Sequence, residues 1–453
     1  MASIGKRAVV IGAGMGGLAA AGALVGHFDE VVVLERDSLP ARPDQRAGAP
    51  QGRHVHALLT AGQQALEQLL PGFTAGIVAA GAVKVRANSD VRVEMPRYDP
   101  YPQRDLGWLT YAASRPLLEF VTRQLAEAAG VRFEARCRTR SLETSADGAA
   151  IAGVRFERDG GESELLECDL VVDASGRAAP TLALLERLGR PAPEQTTIGL
   201  DFAYITQVFE PPADPPSDWK IVMTMPAPGG VPRGGLLAPL EGGLWICSIG
   251  SVGEGSPPAE LATFMASAES LRTPTIHRAL MQARPIGDVV CYGFRESIRR
   301  HFGRLASLPR GLVPLGDSIC RFNPVYGQGM TVAALEAVEL RRLLDERAST
   351  PAPLDGLNTA FFAAIEAVID AAWQMSAIPD LISPTAKGER PANLGFILQF
   401  GLALVELSAR DPEVHRLDAQ VRQLMKPPSA LMDPALVQRV MAVMAEQQAA
   451  ATA

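Results

Sequence analysis

The chain has 453 residues, 47% of them hydrophobic and 21% charged, with a formal net charge of −7. This ordinary globular usage excludes a disordered or fibrous chain, and 42 glycines with 35 prolines, about one residue in six, stay below the roughly 25–30% that marks low complexity. The acidic balance argues against nucleic acid, which needs a concentrated basic face, and a length of this order predicts two or three domains in a soluble protein.

The cysteines, Cys137, Cys168, Cys247, Cys291 and Cys320, are five in number and form no CxxC pair. They suit reduced thiols in a cytoplasm and exclude dithiol redox chemistry. An apolar strand begins within a few residues of Met1, leaving no room for a signal peptide. The longest charge-free apolar stretch, Pro391 to Val405, is 15 residues long and includes Asn393 and Gln399. A membrane-spanning helix needs roughly 20 apolar residues, so a core or lid helix is expected here and no transmembrane segment. Peripheral contact with a membrane and the oligomeric state stay open.

In chain order, Arg7–Ile11 reads as a strand, Gly12–Gly17 as a turn, Leu18–Val25 as a helix and Val31–Leu34 as a second buried strand, a βαβ unit with parallel strands. An Arg- and Pro-rich stretch, Pro40 to Arg53, precedes a helix over Leu58–Leu70, and another helix starts at Arg115. Between Val131 and Ala174 short strands separated by turns predict a β-meander. Strands dominate again from Gln195 to Val290, with a hairpin turning at Gly242 and Gly243. The apolar strand at Leu312 leads to a helix over Gly329–Glu346, and the chain beyond Pro353 is mostly helical.

Two motifs carry chemistry. Gly12, Gly14 and Gly17 form GxGxxG directly after a strand and at the start of a helix. The first glycine allows the tight turn, the second lets a pyrophosphate approach, and the third lets helix and strand pack closely. The helix N-terminus then faces the phosphates. Glu35, 18 residues after Gly17, ends the next strand, where its carboxylate can accept from both adenosine ribose hydroxyls. That acid disfavours a 2′-phosphate, so the bound dinucleotide is expected to be FAD or NAD. In the second motif, an apolar strand ends in Gly316 and Asp317, whose carboxylate can hold a ribityl chain. Gly327 and Gly329 then flank Gln328 at a helix start suited to negative charge on a reduced flavin.

Taken in order, GAGMGG with Glu35, DASGR at Asp173–Arg177, and GD followed by PxxGQG resemble flavoprotein monooxygenases of the para-hydroxybenzoate hydroxylase type. QGRHVHALL at Gln51–Leu59, FNPVYGQGMTVAALEA at Phe322–Ala337 and the tail Lys426–Met441 look most like bacterial epoxidases of polyether biosynthesis, with squalene epoxidases more distant. The resemblance implies an α/β fold: a Rossmann-like FAD-binding domain of the glutathione-reductase type with a β-meander (1–180 and 287–350), an antiparallel-sheet substrate domain (181–286, with 76–110 joining it) and C-terminal helices (351–453). It implies that Arg36, Arg53, Arg115 and Asp173 join Gly12, Gly14, Gly17, Glu35 and Asp317 in holding FAD, and that Pro324, Gly327, Gln328, Gly329 and Met330 line the flavin edge. The family's GDAAH reads Gly316-Asp-Ser-Ile-Cys320 here, and its DGxxSxxR reads Asp173-Ala-Ser-Gly-Arg177.

Other residues carry less. His54 and His56 alternate along an extended segment, but no third and fourth ligand at suitable spacing accompanies them, so no metal is expected. One imidazole or Arg53 can face the flavin. Cys320 reads as a buried, inert thiol. The tryptophans include no WxWxIP segment, the tunnel signature of flavin halogenases, which leaves Lys84 little claim as a halogenase lysine. Phe202, Tyr204, Met223, Trp245 and Phe294 lie on predicted strands as candidates for an apolar substrate pocket.

The resemblance implies that NAD(P)H, docking transiently, reduces the flavin, that O2 adds at its C4a position, and that the hydroperoxide oxidises a small apolar organic substrate, polyketide- or terpenoid-like, by epoxidation or hydroxylation. Such chemistry requires no protein nucleophile, and none is recognisable. Phenol hydroxylation, flavin-dependent reduction of isoprenoid double bonds, and a binding protein with structural FAD are the alternatives.

Overall fold

The computed structural model describes residues 3–227 and 233–452. Strand Gly5–Ile11 ends in four consecutive buried residues because it lies at the middle of a five-stranded parallel sheet. The order across that sheet is Leu312–Pro314, Leu170–Asp173, Gly5–Ile11, Phe28–Leu34 and Arg132–Glu134. Side chains alternate between faces with period two. Ala8, Val10, Val31 and Val33 enter the main core beneath the helices Met15–Leu24, Arg115–Ala128 and Gly329–Arg347. Val9, Ile11, Val32 and Leu34 enter a second core under the three-stranded meander 137–167, with Leu142, Val154 and Phe156. Both faces are covered, so the strands read as unbroken apolar runs.

The second sheet has seven strands, in the order Cys320–Arg321, Arg284–Arg300, Gln195–Glu210, Trp245–Val252, Arg233–Pro239, Ile221–Thr224 and Val91–Glu94. All of its pairings are antiparallel except the last. One face contributes Phe202, Tyr204 and Phe294 to the main core. The other packs Phe209, Val222, Trp245 and Cys247 with residues of the helices Leu261–Glu269 and Thr275–Leu280.

The helix Leu357–Asp380 is, among the described residues, long and apolar enough to cross a membrane, but half of its apolar window is buried, with Phe361, Ile365 and Ile369 in the main core. The stretch expected as a core or lid helix forms Leu394–Arg410. Only from Ala403 onward does it bury residues; Phe396 is 49% and Leu402 65% exposed. The expectation of a core helix is therefore corrected for the first half, because the buried residues lie in the second half, which meets the helices Pro412–Arg422 and Pro434–Thr452 in a small core of Leu404, Leu407, Val414 and Val440. Arg104 and Tyr101 tie this unit down by donating to the carbonyls of Ser408 and Val405 at 2.8 and 3.0 Å.

Candidate functional site

The Gly-rich turn has the shape a pyrophosphate requires. Gly12 has φ of +100°, and a Cβ there would come 2.8 Å from the Ala174 carbonyl oxygen. At Gly17 a Cβ would lie 1.8 Å from the Gly12 carbonyl oxygen, so only glycine lets the helix sit on the strand. Gly14 differs: the nearest atom to a Cβ there is Arg115 Nη2, at 3.7 Å. The space over the second glycine is open on the side where an anion would meet the helix N-terminus, and a guanidinium overhangs it. The residues present therefore fit a dinucleotide.

Glu35 is buried, and both of its oxygens are engaged within the chain. Oε2 accepts from the Ala13 N–H at 2.7 Å and faces Arg46 Nη1 at 3.3 Å; Oε1 accepts from the Asp37 N–H at 2.9 Å. An oxygen accepts about two hydrogen bonds, so Oε1 keeps the capacity for a ribose hydroxyl and Oε2 does not.

Arg46, which sequence reasoning did not single out, organises this end. Its buried guanidinium meets Glu35, Asp37 at 3.2 Å and Glu119 at 2.8 Å. Glu119 also accepts from Arg115 Nε at 2.7 Å, so one carboxylate holds both arginines. Burial would raise the Glu119 carboxyl, and the two guanidiniums reverse this, keeping it below its ordinary value. The available signals were the Arg-rich stretch and the i,i+4 spacing of Arg115 and Glu119. Beyond Glu35, Arg36 lines a cleft of about 480 Å³ with Arg136, Arg138, Arg140, Asp37, Glu157 and Asp159. Arg140 pairs with Glu157 and Arg136 with Asp159. Arg36 and Arg138 are exposed and have no ion-pair partner among the described residues.

At the other end, Gly316, with φ of +66°, turns the chain out of the strand Leu312–Pro314 and donates its N–H to Glu336 Oε2 at 2.6 Å. Glu336 is fully buried, which pushes its carboxyl up to about 8, with the neighbouring Asp317 adding to the rise. Asp317 has an exposed surface and stands beside Gly329, where a Cβ would lie 3.6 Å from Oδ1. Burial raises its carboxyl despite Arg115, Arg321 and Arg300. Asp173 is different. It is fully buried, Oδ1 accepts from the Ser175 N–H, and Oδ2 accepts from the Thr181 N–H and hydroxyl at 3.2 and 2.6 Å. The expectation that it holds FAD is corrected, because its carboxylate ties the strand end to the helix Ala179–Arg187.

The loop expected to meet the flavin edge begins with the exposed Pro324 and turns at Gly327, with φ of +67° and a Cβ position 2.9 Å from that of Ala57. The structure thus brings the GQG loop against the segment that carries Arg53, His54 and His56. Gln328 is 4% exposed, and its Oε1 has no hydrogen-bond partner among the described residues. A buried orphan acceptor calls for a donor, and the pyrimidine end of an isoalloxazine carries an N–H. Met330 packs its side chain into the main core; there only its backbone can face a cofactor. Cys320 is buried, and burial drives its thiol well above the ordinary range.

Against the segment that carries His54 stands one face of the seven-stranded sheet. Phe202 pairs with Phe294 and Tyr204 with Tyr292. His54 packs edge-on against Tyr204 at 4.5 Å and Tyr292 at 5.8 Å. Its Nδ1 lies 2.8 Å from the Thr206 hydroxyl, which lies 2.5 Å from that of Ser248. Burial, helped by the exposed Arg53, lowers the His54 imidazole to about 4, so it is neutral at physiological pH. His56 hydrogen-bonds the His54 carbonyl at 3.0 Å. Met223 is half-buried, on the opposite side of its strand from Val222 in the far core. Trp245 does not join this face. Its register partner is Phe209, and it packs in the far core 5.9 Å from Trp219. That pocket assignment is corrected, because Trp245 is three positions from Ser248 and so faces the other way. Lys84 is exposed on the strand Val83–Arg86.

Comparison with known proteins agrees with this geometry. Protein Rv3254 of Mycobacterium tuberculosis is 31% identical over 417 residues, 88% of this chain and 86% of that protein. A kynurenine 3-monooxygenase of Salinispora tropica is 26% identical over 355 residues, 75% and 72% of the two chains. Among solved structures, a flavoprotein/dehydrogenase from Cytophaga hutchinsonii aligns over 98% of this chain and 99% of its own with a TM-score of 0.66 and 15% identity. A flavin-dependent brominase aligns over 98% and 100% with a TM-score of 0.62 and 16% identity; both show the shared fold alone. Residues 6–360 match the family described as FAD binding domain. The chain belongs to that family and is a FAD-dependent monooxygenase.

Proposed function

We propose that this enzyme takes two electrons from NAD(P)H and one O2, places one oxygen atom on a small apolar, unsaturated biosynthetic substrate and releases the other as water. Epoxidation of an alkene is the favoured outcome, and phenol hydroxylation the alternative. The bound flavin supplies the activation of oxygen. Gly14, Arg115, Glu35 and Asp317 hold the cofactor, the loop 324–329 meets its edge, and the sheet face positions the substrate and keeps water out.

The observation that carries this reading is the chemistry of that face. Phe202, Tyr204, Tyr292 and Phe294 form an aromatic wall, and the imidazole set against it is held to Thr206 through Nδ1 and driven down to about 4. Burial also raises the Tyr204 phenol. Ionising a phenol is helped by a base whose pKa lies near the working pH, and an imidazole near 4 is a weak one. An alkene needs only position and dryness. The unpaired Arg36 and Arg138 beside Glu35 favour a reductant with an extra phosphate, NADPH over NADH.

The test is turnover of the FAD-loaded enzyme under ¹⁸O2 with NADPH against matched panels of alkenes and phenols. One ¹⁸O in an epoxide supports the reading. Labelled phenols with untouched alkenes replace epoxidation by aromatic hydroxylation, and a product with two added hydrogens and no label replaces oxygenation by reduction.

A further inference from the structure

We propose that Asp380, the last residue of the helix Leu357–Asp380, is a positioning residue for the oxygenation, holding the flavin-edge loop through Tyr326 and Asn323. The inference rests on the reading above in taking 324–329 as the edge that meets the flavin.

The geometry is a small buried junction between the C-terminal helices and the GQG loop. Asp380 is 6% and Asn323 1% exposed. Tyr326 donates its hydroxyl to Asp380 Oδ1 at 2.9 Å, and the Asn323 amide donates to Oδ1 and Oδ2 at 3.0 and 3.2 Å. Asn323 Oδ1 in turn accepts from the Val325 N–H at 3.2 Å, closing the turn Pro324–Tyr326 from inside. The carboxylate therefore reaches the backbone of the loop by two routes. One runs through the Asn323 side chain to Val325, the other through Tyr326 to its neighbour Gly327. On its opposite side the loop is held at Gly327 against Ala57. Gln328 and Gly329 follow directly, so the aim of their N–H groups depends on these two supports.

A carboxylate is a costly choice for mere packing. No cation pairs with Asp380 among the described residues, and its partners are neutral donors. Burial pushes its carboxyl up to about 6. Oδ1 takes both the hydroxyl and the amide, and Oδ2 takes a second contact from the amide, so the amide lies between two acceptor oxygens. An asparagine in its place would present an NH2 to the Asn323 NH2.

The test uses the full FAD-loaded enzyme and the variants Asp380→Asn, Asp380→Ala and Tyr326→Phe. FAD affinity should stay near wild type, because the adenosine and pyrophosphate contacts lie elsewhere. The flavin absorption band and midpoint potential should shift, and kcat should fall by roughly tenfold to hundredfold, the scale of a small misplacement, with KM for substrate changed by no more than about threefold. Asp380→Asn combined with Tyr326→Phe should lose less than the sum of the single losses, since the two act through one hydrogen-bonded unit. Unchanged spectrum, potential and kcat in Asp380→Asn and Tyr326→Phe would overturn the proposal, as would strictly additive losses. If Asp380→Ala fails to fold, the two milder variants decide. A wild-type enzyme that binds FAD but oxygenates nothing would sink the proposed function alone, because the spectral and potential shifts would still answer for Asp380.

Discussion

A Cβ on Gly17 would stand 1.8 Å from the carbonyl oxygen of Gly12, whereas one on Gly14, in the same turn, would clear every protein atom except Arg115 Nη2 at 3.7 Å. Packing of the helix on the strand requires glycine at position 17, and at position 14 the space is left open. Gly17→Ala is expected to destabilise the FAD-free protein by roughly 3–5 kcal/mol. Gly14→Val should leave the denaturation midpoint of the FAD-free protein nearly unchanged and weaken FAD binding at least about tenfold, since its backbone is extended and its side chain would fill the phosphate space. Urea denaturation and FAD titration of both variants separate the two roles.

The buried Glu336 gives the stability a defined pH dependence. Its folded pKa, about 8, lies above the ordinary carboxyl value of 4.5. Between those values the folded chain holds a proton that the unfolded chain has released, so this group's contribution to stability declines as pH rises through that window. Asp317, raised by burial, acts in the same direction. Glu336→Gln should flatten the decline in unfolding free energy between pH 5 and 8. An unaltered slope in the FAD-free variant would show that Glu336 does not take up this proton.

The cleft beside Glu35 predicts a coenzyme preference. Arg36→Ala and Arg138→Ala should each raise KM for NADPH, by about tenfold for the loss of one charge-assisted contact, and leave KM for NADH within about twofold. Steady-state reduction of the enzyme-bound flavin with each coenzyme measures this. Equal effects on both coenzymes would place the extra phosphate elsewhere.

The two faces of the seven-stranded sheet should respond differently. Trp245→Ala is expected to cost about 3–5 kcal/mol of stability, as for any large buried aromatic, without changing which substrates are oxidised. Phe294→Ala, on the face that carries Tyr204 and Tyr292, should alter the relative kcat/KM among substrates of different size. The comparison needs one denaturation curve and one substrate panel per variant.

Much of the candidate site was legible because its signals are local. The parallel strand beside the Gly-rich turn, the helix after it and Glu35 at the next strand end lie within one βαβ unit, where spacing translates directly into geometry. The GD strand end and the GQG helix start read the same way. Residues whose role depends on a distant partner were not legible. Asp173 is paired eight residues away with Thr181, Arg46 seventy-three away with Glu119, His54 152 away with Thr206, and Asp380 fifty-four away with Tyr326.

Sequence by itself therefore determined the cofactor and the α/β class, since these rest on backbone requirements at short spacing. Tertiary structure alone decided which face each strand residue takes. The strand Trp245–Val252 is apolar on both sides because the sheet is covered on both sides. Hydrophobic alternation then carries no sign, and the pairing of Phe209 with Trp245 and of Thr206 with Ser248 is what turns one toward the far core and the other toward His54.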